Sequence, residues 1–322
     1  MENTKLIKLF APIFILGFFI SNYNISFAYF AETHAYLTSE VFNFYNQNFP
    51  NNKISEELKP YLIDGSRRED DSPRYFNHFF DPVNNRGFTD TIWGNWQISR
   101  DWAKDADNQN KPTYKSLATI ASVLTAIQQG KINSLITETD FTWQRAVKFY
   151  VQGDKEKAMF ILGHILHLIE DTSVPDHTRN DTHVKKNPYE KYSLKFNLSS
   201  PDKNLSERLK NKTPIINSDF NSYFNELAKY SNNNFYSADT IGIQSGYELP
   251  EPIDYEREND LLYSLGRDDY GLYKLSSQPI QSSVLVNIKG EIIIDNNKVM
   301  SAYWSRLSTK SVQYSAGLVN LF

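Results

Sequence analysis

A mainly helical single domain is the fold this sequence predicts, and three observations predict it. Apolar residues recur at helical spacing in most of the long segments, no internal repeat is visible, and only one stretch, residues 268–297, has the alternating look of strands. With 322 residues, of which 40% are hydrophobic and 14% aromatic, the chain can bury a sizeable core.

Taken in order, residues 33–49 carry Ala35, Leu37, Val41, Phe42, Phe44 and Tyr45 at the spacing of an amphipathic helix. Residues 64–95 are rich in Gly, Asp, Asn and Pro and read as loop. Helical patterns return at 114–129, 141–152 and, over a longer span, 154–172, where Pro175 stops the helix. Residues 189–196 and 206–211 are short helix candidates, 219–230 is a better one, and 299–318 is helical again. The run Leu-Val-Asn-Ile-Lys-Gly-Glu-Ile-Ile-Ile-Asp near residue 290 alternates around a glycine and suits a small β-hairpin. Residues 232–297 therefore read as a loop-rich insert in one domain, 29–322, not as a second domain.

Residues 1–28 read as a signal peptide. Lys5 and Lys8 supply a positive start, residues 9–20 an apolar core, and Ser26-Phe27-Ala28 the small residues of a cleavage site after Ala28. The apolar run is short beside the ~20 residues of a bilayer span, so a secreted or periplasmic protein is expected. The chain has no cysteine, which excludes disulfides and a lipidated-cysteine anchor. Net charge is −4 with no basic stripe, which argues against a stable nucleic-acid partner held by a broad electrostatic surface.

Six histidines are present, and four of them, His164, His167, His177 and His183, fall within twenty residues. His167 and Asp171 are four apart on the expected helix, so their side chains share one face, the geometry for two ligands on one metal. Pro175 ends that helix, His177 can turn back toward the site, and His183 and Glu190 follow. Singly, each residue has an ordinary explanation as a packed or solvated side chain. Together they form the set of imidazoles and carboxylates that catalytic zinc takes. No pattern requires His164, which reads as structural.

The stretch His167-Leu-Ile-Glu-Asp171-Thr-Ser-Val-Pro175-Asp-His177-Thr-Arg-Asn180 resembles the signature of the zinc-dependent phospholipase C family, H-x3-D-x3-P-x-H-x2-N, a family related to the S1/P1 nucleases. Asn77-His78-Phe79-Phe80-Asp81-Pro82 resembles the family's H-F-x-D-P block, and Gly65-Ser-Arg-Arg-Glu-Asp70 a G-x4-D stretch that supplies a carboxylate, with Asp64, Glu69 and Asp71 as competitors of Asp70. The resemblance covers about residues 29–195. It implies an all-α, multi-helix bundle with three zinc ions, here decorated with the small loop or hairpin insert. One ion would take Asp70, His78, His167 and Asp171; a second His177, His183 and Glu190; a third His34, a bridging Asp171 and the amine and carbonyl of Tyr29, the first residue after cleavage. Asp70 and Asp171 would carry the catalytic roles, Asp70 by orienting or deprotonating the attacking water. Two departures stand out: Glu170 where the family often has Gly, and His183-x6-Glu190 where it usually has His-x3-acid.

The implied activity is phosphodiester hydrolysis by a monomer, with phospholipid at a membrane surface as the favoured substrate. The HFFDP block and the lack of a Gly-Gly-Asn stretch after His177 favour that branch over a nuclease acting on single-stranded nucleic acid. A non-catalytic exported zinc protein is the third possibility, and the spare carboxylates argue against it.

Overall fold

The computed structural model describes residues 30–71, 74–91, 94–110, 139–182, 187–241, 246–280 and 292–322. The expected signal peptide (1–28), the helix at 114–129, Tyr29, His183 and most of the hairpin near residue 290 lie outside the described residues.

The described chain is mostly helical, with a small antiparallel sheet. Its helices are α1 (Ala31–Asn48), α2 (Lys59–Arg68), α3 (Ser99–Trp102), α4 (Ala106–Asn110), α5 (Trp143–Val151), α6 (Lys155–Asp171), α7 (Pro175–Thr178), α8 (Pro188–Ser193), α9 (Lys203–Leu209), α10 (Phe220–Asn234) and α11 (Asn297–Leu321). Local chemistry sets many of their ends. The side chains of Thr142, Asp154, Asp202, Asp219 and Asn296 accept backbone N–H bonds at the starts of α5, α6, α9, α10 and α11. Pro175 and Pro188 stand in the first turns of α7 and α8, where a missing N–H costs nothing.

Helix α6 is the centre of the fold. Ala158, Ile161, Leu162, Ile165, Leu166, Leu168 and Ile169 are buried along it, and it packs against α1, α2, α5, α10 and α11. A helix apolar on nearly every side belongs in the interior. Helix α1 is almost as deeply placed: each of its six predicted apolar residues is buried.

The packing of α2 on α6 is unusually close. A Cβ on Gly65 would stand 1.8 Å from the carbonyl oxygen of Phe160, and one on Gly163 2.1 Å from that of Leu62. This contact explains the first departure from expectation. Residues 64–68, expected as loop, form the last turn of α2, because the interlock with α6 outweighs the weak helix preference of Asp, Gly and Ser.

The second departure concerns the insert, and it revises the all-α expectation. Strands β1 (Thr89–Asp90) and β2 (Gly94–Asn95) form a minimal ribbon, whereas β3 (Asp254–Glu258), β4 (Leu261–Asp268) and β5 (Gly271–Pro279) form a three-stranded antiparallel sheet inside what reads as loop. Asn259 at φ 53° and Gly271 at φ 100° supply the left-handed conformations that its two turns need. Tyr263, Leu265, Tyr273 and Leu275 are buried, β5 packs on α11, and the Tyr303 hydroxyl donates to the Leu275 carbonyl at 2.8 Å. Ile293, from the segment expected as a hairpin, pairs with Ser277 of β5 instead.

Replacing Gly163 by Ala should force α2 and α6 apart. The expected cost is about 1–3 kcal/mol of unfolding free energy, as for other overpacked interiors, measured as a shift of the urea midpoint. An unchanged midpoint would show that the contact is looser than described.

Candidate metal centre

Four segments deliver side chains to one buried point. Helix α6 presents His167 and Asp171 one turn apart. The end of α2 brings Ser66 and, in the following turn, Glu69 and Asp70. The 3-10 turn Arg74–Asn77 leads directly into His78, and α1 contributes His34. His34, His78, His167, Asp171, His177 and Glu190 are completely buried, and the Asp70 side chain is 19% exposed.

Asp171 lies at the middle. Its Oδ1 is 3.2 Å from His34 Nε2, and its Oδ2 is 3.0 Å from His78 Nδ1 and 3.2 Å from His167 Nε2. Neither oxygen makes an aligned hydrogen bond among the described residues. Asp70 Oδ1 stands 3.6 Å from His167 Nε2 and 3.7 Å from His78 Nδ1. Two groups of donor atoms converge closely enough to hold an ion: His34, His167 and Asp171, and Asp70, His78 and His167. His167 thus belongs to both, and its ring stacks on that of His34 at 3.6 Å.

His177, on α7, sits at the edge of this cluster. Its Nδ1 is 4.0 Å from Asp171 Oδ2 and its Nε2 3.9 Å from Glu190 Oε1. Its ring stacks on Phe79 at 4.3 Å, and Glu190 Oε2 accepts from the Asn187 amide at 3.1 Å. His177 and Glu190, two members of the second expected set, therefore face each other. Its third member, His183, and Tyr29 of the third set lie outside the described residues.

The outer nitrogens of two of the rings are tied down. His167 Nδ1 is 2.7 Å from the Ser66 carbonyl oxygen, which can only accept, so the proton sits on Nδ1 and the Nε2 lone pair faces the cluster. His34 Nδ1 meets Glu170 Oε2 at 2.7 Å. The loops are tied to each other as well. Phe80 N–H donates to the His177 carbonyl at 3.1 Å, and Asn180, the last residue of the motif, exchanges two hydrogen bonds with the backbone of Thr89.

Among the competitors of Asp70, Glu69 is fully engaged elsewhere. Its Oε2 accepts from Arg74 Nε at 2.8 Å and contacts His164 Nδ1 at 2.6 Å, and its Oε1 accepts from Trp102 Nε1 at 2.9 Å. Asp64 pairs with Arg68 on the surface. His164, stacked on Phe141, braces Glu69 and joins neither convergent group. Sequence reasoning missed Ser66, Glu69 and Glu170 as supporting residues. The one signal for Glu170 was its departure from the usual Gly.

Electrostatics tests whether a cation fits. Burial pushes Asp70 well above the usual carboxylate range, with Asp171 and Glu69 adding to the effect. It pushes Asp171 up to about 7 against the opposing pull of His78. Burial also brings His167 down to about 4 and holds His34 well below its ordinary value, helped there by His167 and His78. Glu69 goes the other way: burial alone would raise it, but Arg74 and His164 together hold it well below normal. Burial thus disfavours charge on the central carboxylates and imidazoles, and a bound cation would favour the ionised carboxylates and the neutral imidazoles. Neutral imidazoles with ionisable carboxylates and anchored outer nitrogens are the donor set of zinc, so the residues fit the ion.

No protein-family model matches the chain, and no curated protein matches it. Similar solved structures include the alpha toxin from Clostridium absonum, at TM-score 0.43 and 14% identity over 89% of this chain and 62% of that one. Another is the alpha-toxin of Clostridium perfringens from avian strain SWCP, at TM-score 0.35 and 18% identity over 63% of this chain and 53% of that one. The chain thus spans less than two thirds of the length of either. Likenesses this distant leave the assignment of the site to its own chemistry.

The Asp171 shift gives a test in chelator. The metal-free fold retains this proton up to about pH 7, whereas an unfolded chain releases it near pH ~4. The group therefore destabilises the metal-free fold progressively as pH rises through that window. Asp171→Asn should melt higher than the parent at pH 8 with chelator present, the advantage vanishing toward pH 4. With zinc added the order should reverse. A variant that melts below the parent at every pH in chelator would contradict the assignment of strain to Asp171.

Proposed function

We propose that the chain is an exported, zinc-dependent phosphodiesterase of the phospholipase C type that hydrolyses glycerophospholipids at a membrane surface, as a monomer. The observation that carries the metal centre is the position of Asp171, whose two oxygens face different histidines while Asp70, His177 and Glu190 stand around it. The phospholipase branch of the reading is inferred from the H-x3-D-x3-P-x-H-x2-N and HFFDP stretches.

Three zinc ions are proposed. Asp70, His78, His167 and Asp171 would hold one; His34, Asp171 and the terminal amine and carbonyl of Tyr29 another; His177, His183 and Glu190 the third. Bound zinc supplies neutralisation of the phosphodiester and an acidified water. Asp171 fixes the spacing of the two histidine groups that share it. Asp70, the partly exposed donor, faces the side from which substrate arrives and is placed to orient the attacking water and take its proton. Ser66, through its carbonyl, keeps the His167 lone pair aimed inward. We assign the His177–Glu190 pair, with His183, to the leaving-group side of the reaction.

Export fits the same scheme. No described helix is long and apolar enough to cross a membrane. Cleavage after Ala28 would place the new amine one residue before Phe30, whose carbonyl accepts the first N–H bonds of α1, from Thr33 at 2.7 Å and His34 at 3.2 Å. The terminus would then be five residues from the histidine it is proposed to join. A chain carrying one extra Met before Tyr29 should bind one zinc fewer than the chain that begins at Tyr29, measured by metal analysis after gel filtration. Equal zinc content would remove the terminal amine from the site.

The direct test is release of phosphocholine from phosphatidylcholine vesicles by the zinc-loaded chain beginning at Tyr29. Release is expected from the parent, with a loss of at least about 100-fold in Asp171→Asn together with loss of zinc. A folded, zinc-loaded protein that leaves the vesicles intact but cuts single-stranded nucleic acid would replace the phospholipase with a nuclease.

A further inference from the structure

We propose that Glu170 is a positioning residue for the ion held through His34. With Thr38 and Ser66 it forms a buried brace that orients both stacked imidazoles, His34 and His167. This inference rests on the metal centre proposed above.

Two consecutive residues of α6 grip the two nitrogens of one ring. Asp171 Oδ1 is 3.2 Å from His34 Nε2, and Glu170 Oε2 is 2.7 Å from His34 Nδ1. Successive helix positions point about 100° apart. Asp171 therefore faces the cluster while Glu170 reaches behind the ring toward α1. The other Glu170 oxygen, Oε1, accepts from the Thr38 hydroxyl at 2.9 Å, and that hydroxyl lies 2.8 Å from Ser66 Oγ. Ser66 in turn accepts His167 Nδ1–H on its carbonyl at 2.7 Å. Hydrogen bonds, continued through the covalent frame of Ser66, thus join the outer nitrogens of the two rings that stack at 3.6 Å.

Thr38, Ser66, Glu170 and both histidines are fully buried. A buried carboxylate is retained only where its surroundings compensate it. Among the described residues the ion pair of Glu170 is with His34, and no Lys or Arg pairs with it. An imidazole bound to a cation through Nε2 is a strong Nδ1–H donor, and a carboxylate acceptor fixes its tautomer and makes Nε2 a better ligand. The glycine often found at this place in the resembled signature could do none of this.

The test is metal affinity rather than turnover. Zinc is titrated into the parent and Glu170→Gln against a chromophoric chelator, and the cobalt(II)-loaded proteins are compared by visible absorption. Glu170→Gln should weaken the ion held through His34 by about 10–100-fold, weaken the ion held through His167 by less, leave the ion of His177 unchanged, and alter the cobalt bands of the His34 ion most. Thr38→Val should weaken the same ion by less, and it decides the matter alone if Glu170→Gln does not fold. Unchanged affinities and spectra would overturn the brace, as would an equal weakening of every ion, which is the signature of a merely structural role. A parent protein that takes up no zinc would overturn the metal centre itself, and the brace with it. A parent that loads normally beside unaffected variants overturns the brace alone.

Discussion

The contact between α2 and α6 governs the geometry around it. Gly65 and Gly163 let two backbones approach to a distance that no Cβ would tolerate. Because α2 lies so close, the Ser66 carbonyl reaches the ring of His167, and the turn after α2 brings Glu69 onto His164 and Asp70 toward His78 and His167. With α2 an ångström further out, the hydrogen bonds that orient the rings would lengthen beyond use. The helical interior therefore acts as a mould whose tightest contact lies one turn from the chemistry.

Within that mould the acidic residues divide into two kinds. Glu69 has its compensation inside the protein, from Arg74, His164 and Trp102, and stays ionised despite burial. Asp70, Asp171 and Glu170 have histidines but no guanidinium or ammonium group paired with them among the described residues, and burial pushes all three upward. The chain spends an arginine on the neighbour and none on the centre. Such a division makes sense where the missing positive charge arrives as an ion. It also separates adjacent carboxylates that composition alone leaves equivalent.

Much of this was legible in the sequence, and the remainder fails for identifiable reasons. The helices at 33–49, 154–172 and 299–318 were readable because each carries apolar residues at a long 3.6-residue periodicity. The final turn of α2 was not, since Asp64-Gly65-Ser66 reads as turn and only the fit against α6 makes it helix. The sheet had a signal that went unused. Residues 261–279 alternate on both sides of Asp269-Tyr270-Gly271, but the strand reading settled further on, at the run around Gly290. At the site, the motif spacing placed His167, Asp171 and His177 near one another. The supporting residues Ser66 and Thr38 were invisible, and Glu170 showed only as a departure from the usual Gly, because an acceptor behind a histidine has no spacing of its own and is set by which helix lies next to it.

The burial of the cluster also bears on the rate at which ions come and go. Among the described candidate donors, Asp70 is the partly exposed one, and the rest are sealed beneath it. Metal exchange would then be sequential. The position nearest Asp70 would fill last and empty first, while an ion seated between His34 and Asp171 would lie behind it and leave only when α1 or α6 breathes. Chelation of the folded protein would accordingly proceed in separate phases, with the slow one limited by an opening motion of the helices and insensitive to chelator concentration.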